Sequence, residues 1–121
     1  MARYSMIRGW IECSFDNVAD IREIVTQHWT RAPQYVVSDD AATLYLSGWT
    51  FPESPINWTS FVFFGASVNE LAVPFIRDCL SRIIQSGLEV RGFFHVDDEE
   101  RENLRVWSFE DGKWSENPRE S

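Results

Sequence analysis

Few residues of this chain have the types and spacing that catalysis requires. The chain holds two histidines and two cysteines among its 121 residues. Cys13 with one of the two histidines, His28 or His95, could act as nucleophile and base. Nothing in the spacing requires this, and the apolar surroundings of Cys13 raise the pKa of a thiol and leave it inert. His95, Asp97 and Asp98 have the side chains of a metal site, yet they would not all share one face of a strand. We therefore expect no catalytic residues, no bound metal and no cofactor.

The other candidate positions have simpler structural explanations. Gly65, Ala66 and Ser67 are predicted to enter a helix, whose N-terminus could bind an anion. We favour a tight strand-to-helix turn, because the chain has no glycine-rich phosphate loop. His28 is interpreted as a helix residue at the edge of the core.

The acidic segment at residues 97–102 is the first feature that points to a function. It reads Asp-Asp-Glu-Glu-Arg-Glu, and residues 97–121 hold nine acidic and four basic residues within a chain of net charge −8. A solvated hairpin connection would explain the segment. The alternative is a surface complementary to a basic partner, which would steer the approach of that partner.

The second feature is the set of six tryptophans. A small core under two helices would rarely need all six, and exposed aromatic side chains beside charges are typical of binding surfaces. Trp10, Trp49 and Trp58 are candidates for an open sheet face. Trp107 and Trp114 flank an Asp-Gly hairpin, where they either pair across it or anchor a partner. The predicted partner-binding residues are Asp97, Asp98, Glu99, Glu100, Glu102, Trp107 and Trp114.

The spacing of apolar residues predicts the secondary structure. Strands are predicted over 5–15, 42–51, 58–66, 88–96, 104–109 and around 113–114, with a further short strand over 34–38. Helices are predicted over 18–29 and from about 70 to a stop at Gly87. Residues 38–40 are predicted as a turn, 52–57 as a rigid loop, 97–102 as a loop and 115–121 as a frayed tail. The strand over 58–66 is apolar on both faces, which favours a central place in a sheet.

This order of elements predicts one α+β domain over residues 1–121. The order β-α-β-β-α-β with a C-terminal hairpin extension is that of a ferredoxin-like fold, with two helices on one face of a mostly antiparallel sheet. Another α+β sandwich with different strand pairing is the alternative.

Composition excludes several classes of protein. Apolar residues make up 44% of the chain, which is enough for a core and excludes a disordered scaffold. With one lysine the chain lacks the basic clusters of a nucleic-acid binder. The N-terminal residues lack the apolar stretch of a signal peptide, and no apolar run is long enough for a membrane span. We therefore expect a cytoplasmic protein with no nucleic-acid or membrane partner, in which Cys13 and Cys79 are buried thiols.

In size, charge and aromatic content, the whole chain resembles the small acidic immunity proteins of bacterial toxin systems, including contact-dependent inhibition. The resemblance implies a non-catalytic cytoplasmic domain that binds and neutralises a basic, nuclease-type toxin domain. An acidic loop with aromatic anchors would mimic the polyanion that a nuclease holds.

Three other functions remain open at this point. A small-ligand or regulatory module would use the aromatic sheet face. A small enzyme would use His95 and neighbouring carboxylates. A homodimer would pair at a sheet edge.

Overall fold

The computed structural model of the protein describes residues 3–31, 38–100 and 102–118. These residues form six strands and three α-helices: β1 (Tyr4–Ser14), α1 (Val18–Thr30), α2 (Asp39–Leu46), β2 (Trp49–Thr50), β3 (Thr59–Asn69), α3 (Val73–Gln85), β4 (Arg91–Asp98), β5 (Leu104–Glu110) and β6 (Lys113–Pro118). Short 3-10 turns, Phe15–Asn17 and Glu70–Ala72, lead into α1 and α3.

The strands form one antiparallel sheet in the order β2-β3-β1-β4-β5-β6. β1 pairs with β3 along its whole length, with Tyr4 opposite Asn69 and Ser14 opposite Thr59. The pairing of β2 with β3 is limited to two positions, so within the described part of the chain one side of β3 is mostly without a neighbouring strand. The α+β class, the single domain and the antiparallel sheet are as predicted, with three helices instead of two.

All three helices lie on one face of the sheet. The strands contribute Ile7, Ile11, Val62, Phe64 and Phe94 to a core that Ile21, Val25, Ile76, Leu80 and Ile83 complete from the helices. Residues that alternate with these strand positions, such as Trp10 and Phe63, are exposed. We call this helix-free side of the sheet the open face.

The two long helices confirm the predictions from periodicity. Val18, Ile21, Val25, His28 and Trp29 form the buried face of α1. The spacing of three and four residues places them on one side of the helix.

The ends of α3 also match the sequence. Pro74 lies in its first turn, where its missing N–H costs no hydrogen bond. Gly87 follows the helix with φ of 86°, a conformation that glycine adopts without steric cost.

The predicted strand over 42–51 is wrong for most of its length, because α2 occupies it to Leu46. Ser38 caps this helix: the N–H of Ala41 donates to Ser38 Oγ at 3.2 Å. Asp39 and Asp40, expected in a turn, are in the first turn of α2, where their negative charges interact favourably with the helix dipole. The strand predicted over 34–38 falls on this cap at Ser38 and otherwise lies outside the described residues.

Other boundaries also differ from the predictions, and β4 begins at Arg91 instead of residue 88. β3 continues to Asn69, so Gly65 to Ser67 lie within a strand and not in a turn before a helix. β4 includes Asp97 and Asp98, which were expected in the loop. β6 extends to Pro118, so residues 115–118 are not a frayed tail.

The hairpin between β5 and β6 confirms the prediction from Asp-Gly. Asp111 and Gly112 have φ of 53° and 75°. A two-residue turn with both residues in the left-handed region suits the twist of the flanking strands.

Candidate functional site

An aromatic row crosses the open face. Trp10 on β1 lies opposite Phe63 on β3 and opposite Phe93 on β4. The rings of Trp10 and Phe93 stack with centroids 5.2 Å apart, and Phe61 stacks on Phe63 at 6.2 Å. Trp10 is 39% exposed, Phe63 50% and Phe61 38%. We call Trp10, Phe61, Phe63 and Phe93 the aromatic row.

The loop between β2 and β3 extends this apolar surface beyond the sheet. Ile56 is 80% exposed and Trp58 is 89% exposed. With Pro52, Phe61 and Phe63 they line a shallow groove of about 620 Å³, which we call the loop groove. Large apolar side chains grouped in this way mark surfaces that bind a partner.

Acidic groups lie at one end of the strands, on one side of the aromatic row, at the turn from β4 to β5. Glu99 and Glu100 are exposed there. The turn is held by its backbone: the N–H of Asn103 donates to Asp98 Oδ1 at 3.0 Å, and the N–H of Glu99 donates to the Tyr4 carbonyl oxygen at 3.1 Å. Hydrogen bonds therefore join the described residues on the two sides of this turn.

Carboxylates also lie at the opposite end of the strands, on the other side of the row. A pocket of about 260 Å³ is lined by Glu12, Glu89, Glu110 and Asp111, with Trp58 at its edge. Arg91 neutralises one of them through an ion pair with Glu110. The aromatic row therefore lies between two acidic ends of the sheet.

Asp97 does not belong to the exposed acidic surface that the sequence predicted. Its side chain is fully buried, and Arg8 Nη2 donates to its Oδ2 at 2.9 Å. This contact joins β4 to β1, so Asp97 has a structural role. Of the predicted carboxylates, Glu99, Glu100 and Glu102 are exposed and Asp98 is partly buried.

Trp107 and Trp114 are not exposed anchors either. Trp107 is 1% exposed and lies on the helix-covered face. Its ring is 5.6 Å from that of Trp114, so the two pair across the hairpin. Trp114 also stacks on Phe109, and the Arg77 guanidinium lies 5.2 Å from its ring centre. The pairing alternative is confirmed.

The three tryptophans predicted for the open face, Trp10, Trp49 and Trp58, lie in three different parts of the structure. Trp10 lies on that face and Trp58 in the adjoining loop. Trp49 is buried, with its ring 4.9 Å from Phe64, so its assignment was wrong.

The cysteines and histidines do not form a reactive group. Burial raises the pKa of Cys13 to about 11 and that of Cys79 to about 12, so both thiols are protonated at neutral pH. His28 is buried, as expected, with Nε2 2.8 Å from the Phe75 carbonyl oxygen. Burial lowers the pKa of His28, so the neutral ring donates this hydrogen bond. His95 lies on the open face with its ring 5.2 Å from Phe93.

Sequence reasoning missed Phe61, Phe63 and Phe93 as surface residues. The available signal was the apolar run at residues 61–64, which we assigned to burial on both faces. Alternation of exposed and buried residues instead places Phe61 and Phe63 in solvent and Val62 and Phe64 in the core.

No helix among the described residues is long and apolar enough to cross a membrane. Comparison with protein-family models, with curated proteins and with solved structures gives no match to this chain.

Proposed function

We propose that this chain is a non-catalytic, acidic binding protein whose open face binds and neutralises a basic protein domain of another chain. The observation that carries this proposal is the exposed aromatic row between two acidic ends. Aromatic residues supply most of the binding energy in many interfaces. Their exposure in a sheet with an otherwise complete core is explained by a partner that covers them.

The charge of the chain indicates the chemistry of that partner. The net charge of −8 attracts a basic domain over several ångströms and speeds association. The carboxylates on both sides of the aromatic row would then pair with lysine and arginine side chains at the rim. A nuclease-type toxin domain has such a surface, since it must hold phosphates. We propose that the protein acts in the bacterial cytoplasm, where its two free cysteines would stay reduced.

The set of partner-binding residues that we propose differs from the predicted one. Aromatic contacts come from the aromatic row and Trp58 instead of Trp107 and Trp114. Acidic contacts come from Glu12, Asp98, Glu99, Glu100 and Glu102.

We further propose that the sheet belongs to the ferredoxin-like class. β1, β2, β3 and β4 stand in the order β2-β3-β1-β4, and helices connect β1 to β2 and β3 to β4. Helix α2 and the hairpin β5–β6 are then additions to that arrangement. A crystal structure in which β1 does not lie between β3 and β4 would contradict this.

The proposed function is tested by capture with matched surface variants. Immobilised wild type, Trp10→Ala/Phe63→Ala and Leu44→Ala are incubated with lysate of the source organism at about 50 mM and about 500 mM salt. Leu44 is the control, because it is 67% exposed but lies on α2 in the helix layer. Bound proteins are identified by mass spectrometry, then purified and assayed for cleavage of nucleic acid with and without the chain.

The expected result is one basic protein, held at equal stoichiometry by wild type and Leu44→Ala. The double variant should lose it, and high salt should weaken its binding. Its nuclease activity should fall to background when one equivalent of the chain is added. Equal retention by the double variant, or full activity in the complex, would contradict the proposal.

A small-ligand function is the second candidate, and the loop groove favours it. Its volume of about 620 Å³ is that of a small-molecule site, and its lining is mostly apolar. In this case a small molecule, and no protein, should remain bound through purification. The variant Trp58→Ala should release it, while Leu44→Ala should not.

A further inference from the structure

Among the residues that the structure describes, one edge of β3 lacks a neighbouring strand over part of its length. β3 is eleven residues long, but β2 pairs only with Phe63 and Phe64. The N–H of Gly65 donates to the Gly48 carbonyl oxygen on the β2 side, at 3.1 Å. Main-chain groups alternate sides along a strand, and the β1–β3 register has no bulge. The N–H and C=O groups of Thr59 and Phe61 therefore also point to the β2 side.

Proline ends the pairing at this point. Thr50 lies opposite Phe63, so Pro52 would lie opposite Phe61 in the next hydrogen-bonded pair. Proline has no N–H to donate, so the β2–β3 ladder cannot continue there. Within the described residues, no hydrogen bond is formed on this side by Thr59 or Phe61. We call these two residues the free edge.

We propose that an extended, cationic segment of the partner adds to the free edge as a further antiparallel strand of the sheet. This inference rests on the proposed function and specifies how the partner binds. The added strand takes the place that β2 leaves at Pro52, so it runs in the direction of β2. Main-chain hydrogen bonds to Thr59 and Phe61 provide affinity, and alternate side chains enter the loop groove and provide specificity.

Charge selects a partner over a second copy of this chain as the occupant. Glu12 lies opposite Phe61 in the β1–β3 register, and exposed Glu53 follows Pro52 in the loop. Two copies joined at the free edge would bring these carboxylates together, and each copy carries a net charge of −8. A basic segment is attracted by this net negative charge whichever face of the added strand carries its lysines.

The test uses an end-blocked peptide of about eight residues that alternates lysine with valine or threonine. Antiparallel addition places the residue opposite Phe61 with its side chain on the open face and its N–H towards β3. In the peptide, valine and threonine occupy positions of this kind. The lysines alternate with them, so the lysine N–H groups point away from β3. One peptide is N-methylated at valine and threonine, and the matched control is N-methylated at lysine. Binding is followed by NMR through the amide signals of Thr59 and Phe61.

The unmodified peptide should bind and slow hydrogen exchange at the Thr59 and Phe61 amides. Without peptide, the chain should have the mass of a monomer. Methylation at valine and threonine should weaken binding at least tenfold, while methylation at lysine should not. A glutamate-for-lysine peptide should bind at least tenfold more weakly.

No binding at millimolar peptide, equal effects of both methylation patterns, or a dimer of the free chain with protected edge amides would overturn the free-edge proposal. The proposed function fails separately, because it depends on the captured protein and on the variants of Trp10 and Phe63.

Discussion

Phe63 and Phe64, which are consecutive on β3, allow a test of whether the open face is exposed to solvent. Phe63 is 50% exposed and Phe64 is 2% exposed. Full burial of a phenylalanine contributes about 1.5–3 kcal/mol, so a half-exposed ring contributes about 1 kcal/mol. Truncation of a buried phenylalanine also leaves a cavity, which brings the cost to about 3–5 kcal/mol. We therefore predict that Phe63→Ala lowers the free energy of unfolding by about 1 kcal/mol and Phe64→Ala by at least about 3 kcal/mol.

Urea unfolding followed by circular dichroism measures this difference. With an m-value of about 2 kcal/mol/M, the midpoint should fall by about 0.5 M for Phe63→Ala and by at least about 1.5 M for Phe64→Ala. The same Phe63→Ala chain should lose the captured partner while it stays folded. Equal losses of stability in the two variants would show that Phe63 is covered, and would refute the open-face argument.

Three further predictions concern the fold around this surface. Gly9→Ala should lower the free energy of unfolding by about 1–3 kcal/mol, because the added Cβ would lie 2.0 Å from a backbone oxygen of β4. Gly65→Ala should leave the melting temperature nearly unchanged, because a Cβ at that position has nothing within 4 Å. Burial lowers the pKa of His28 below 6.5. As the pH falls, the unfolded chain therefore binds a proton at His28 before the folded chain does, and the free energy of unfolding decreases below about pH 6.5. The variant His28→Phe should lack this contribution when unfolding is measured between pH 7 and pH 5. Asp97→Asn should lower the free energy of unfolding by about 1–3 kcal/mol, while Glu99→Gln should leave the urea midpoint unchanged.

Each of these predictions has a clear contrary result. Equal melting temperatures of the two glycine variants would contradict the close approach of β1 and β4. An identical pH dependence in His28→Phe would remove His28 as a source of acid sensitivity. A neutral Asp97→Asn would mean that the Arg8 contact does not stabilise the sheet.

Local sequence patterns were sufficient for the elements whose ends are encoded by adjacent residues. α3 has its proline in the first turn and Gly87 after its end, and the Asp-Gly pair determines the last hairpin. α2 was missed because the apolar residues around Tyr45 fit a strand as well as a helix. Whether this segment forms a helix or a strand depends on contacts with residues distant in the sequence, such as the hydrogen bond from Asn69 N–H to Tyr45 Oη at 2.8 Å.

The binding surface was harder to predict than the fold, because exposure depends on which face the helices cover. The sequence indicated correctly that some tryptophans would be exposed beside charges. It did not show that Trp107 would lie under the helices, nor that Asp97 would be buried against Arg8, 89 positions away along the chain. Both outcomes follow from strand pairing.

The six tryptophans allow the most direct test of the central claim, which is that the open face binds the basic partner. Their indole N–H groups give six NMR signals, recorded with and without the purified partner. We predict that the Trp10 and Trp58 signals shift or broaden on binding, while the four on the helix-covered side stay unchanged: Trp29, Trp49, Trp107 and Trp114. Changes at Trp107 and Trp114 with none at Trp10 and Trp58 would contradict the account.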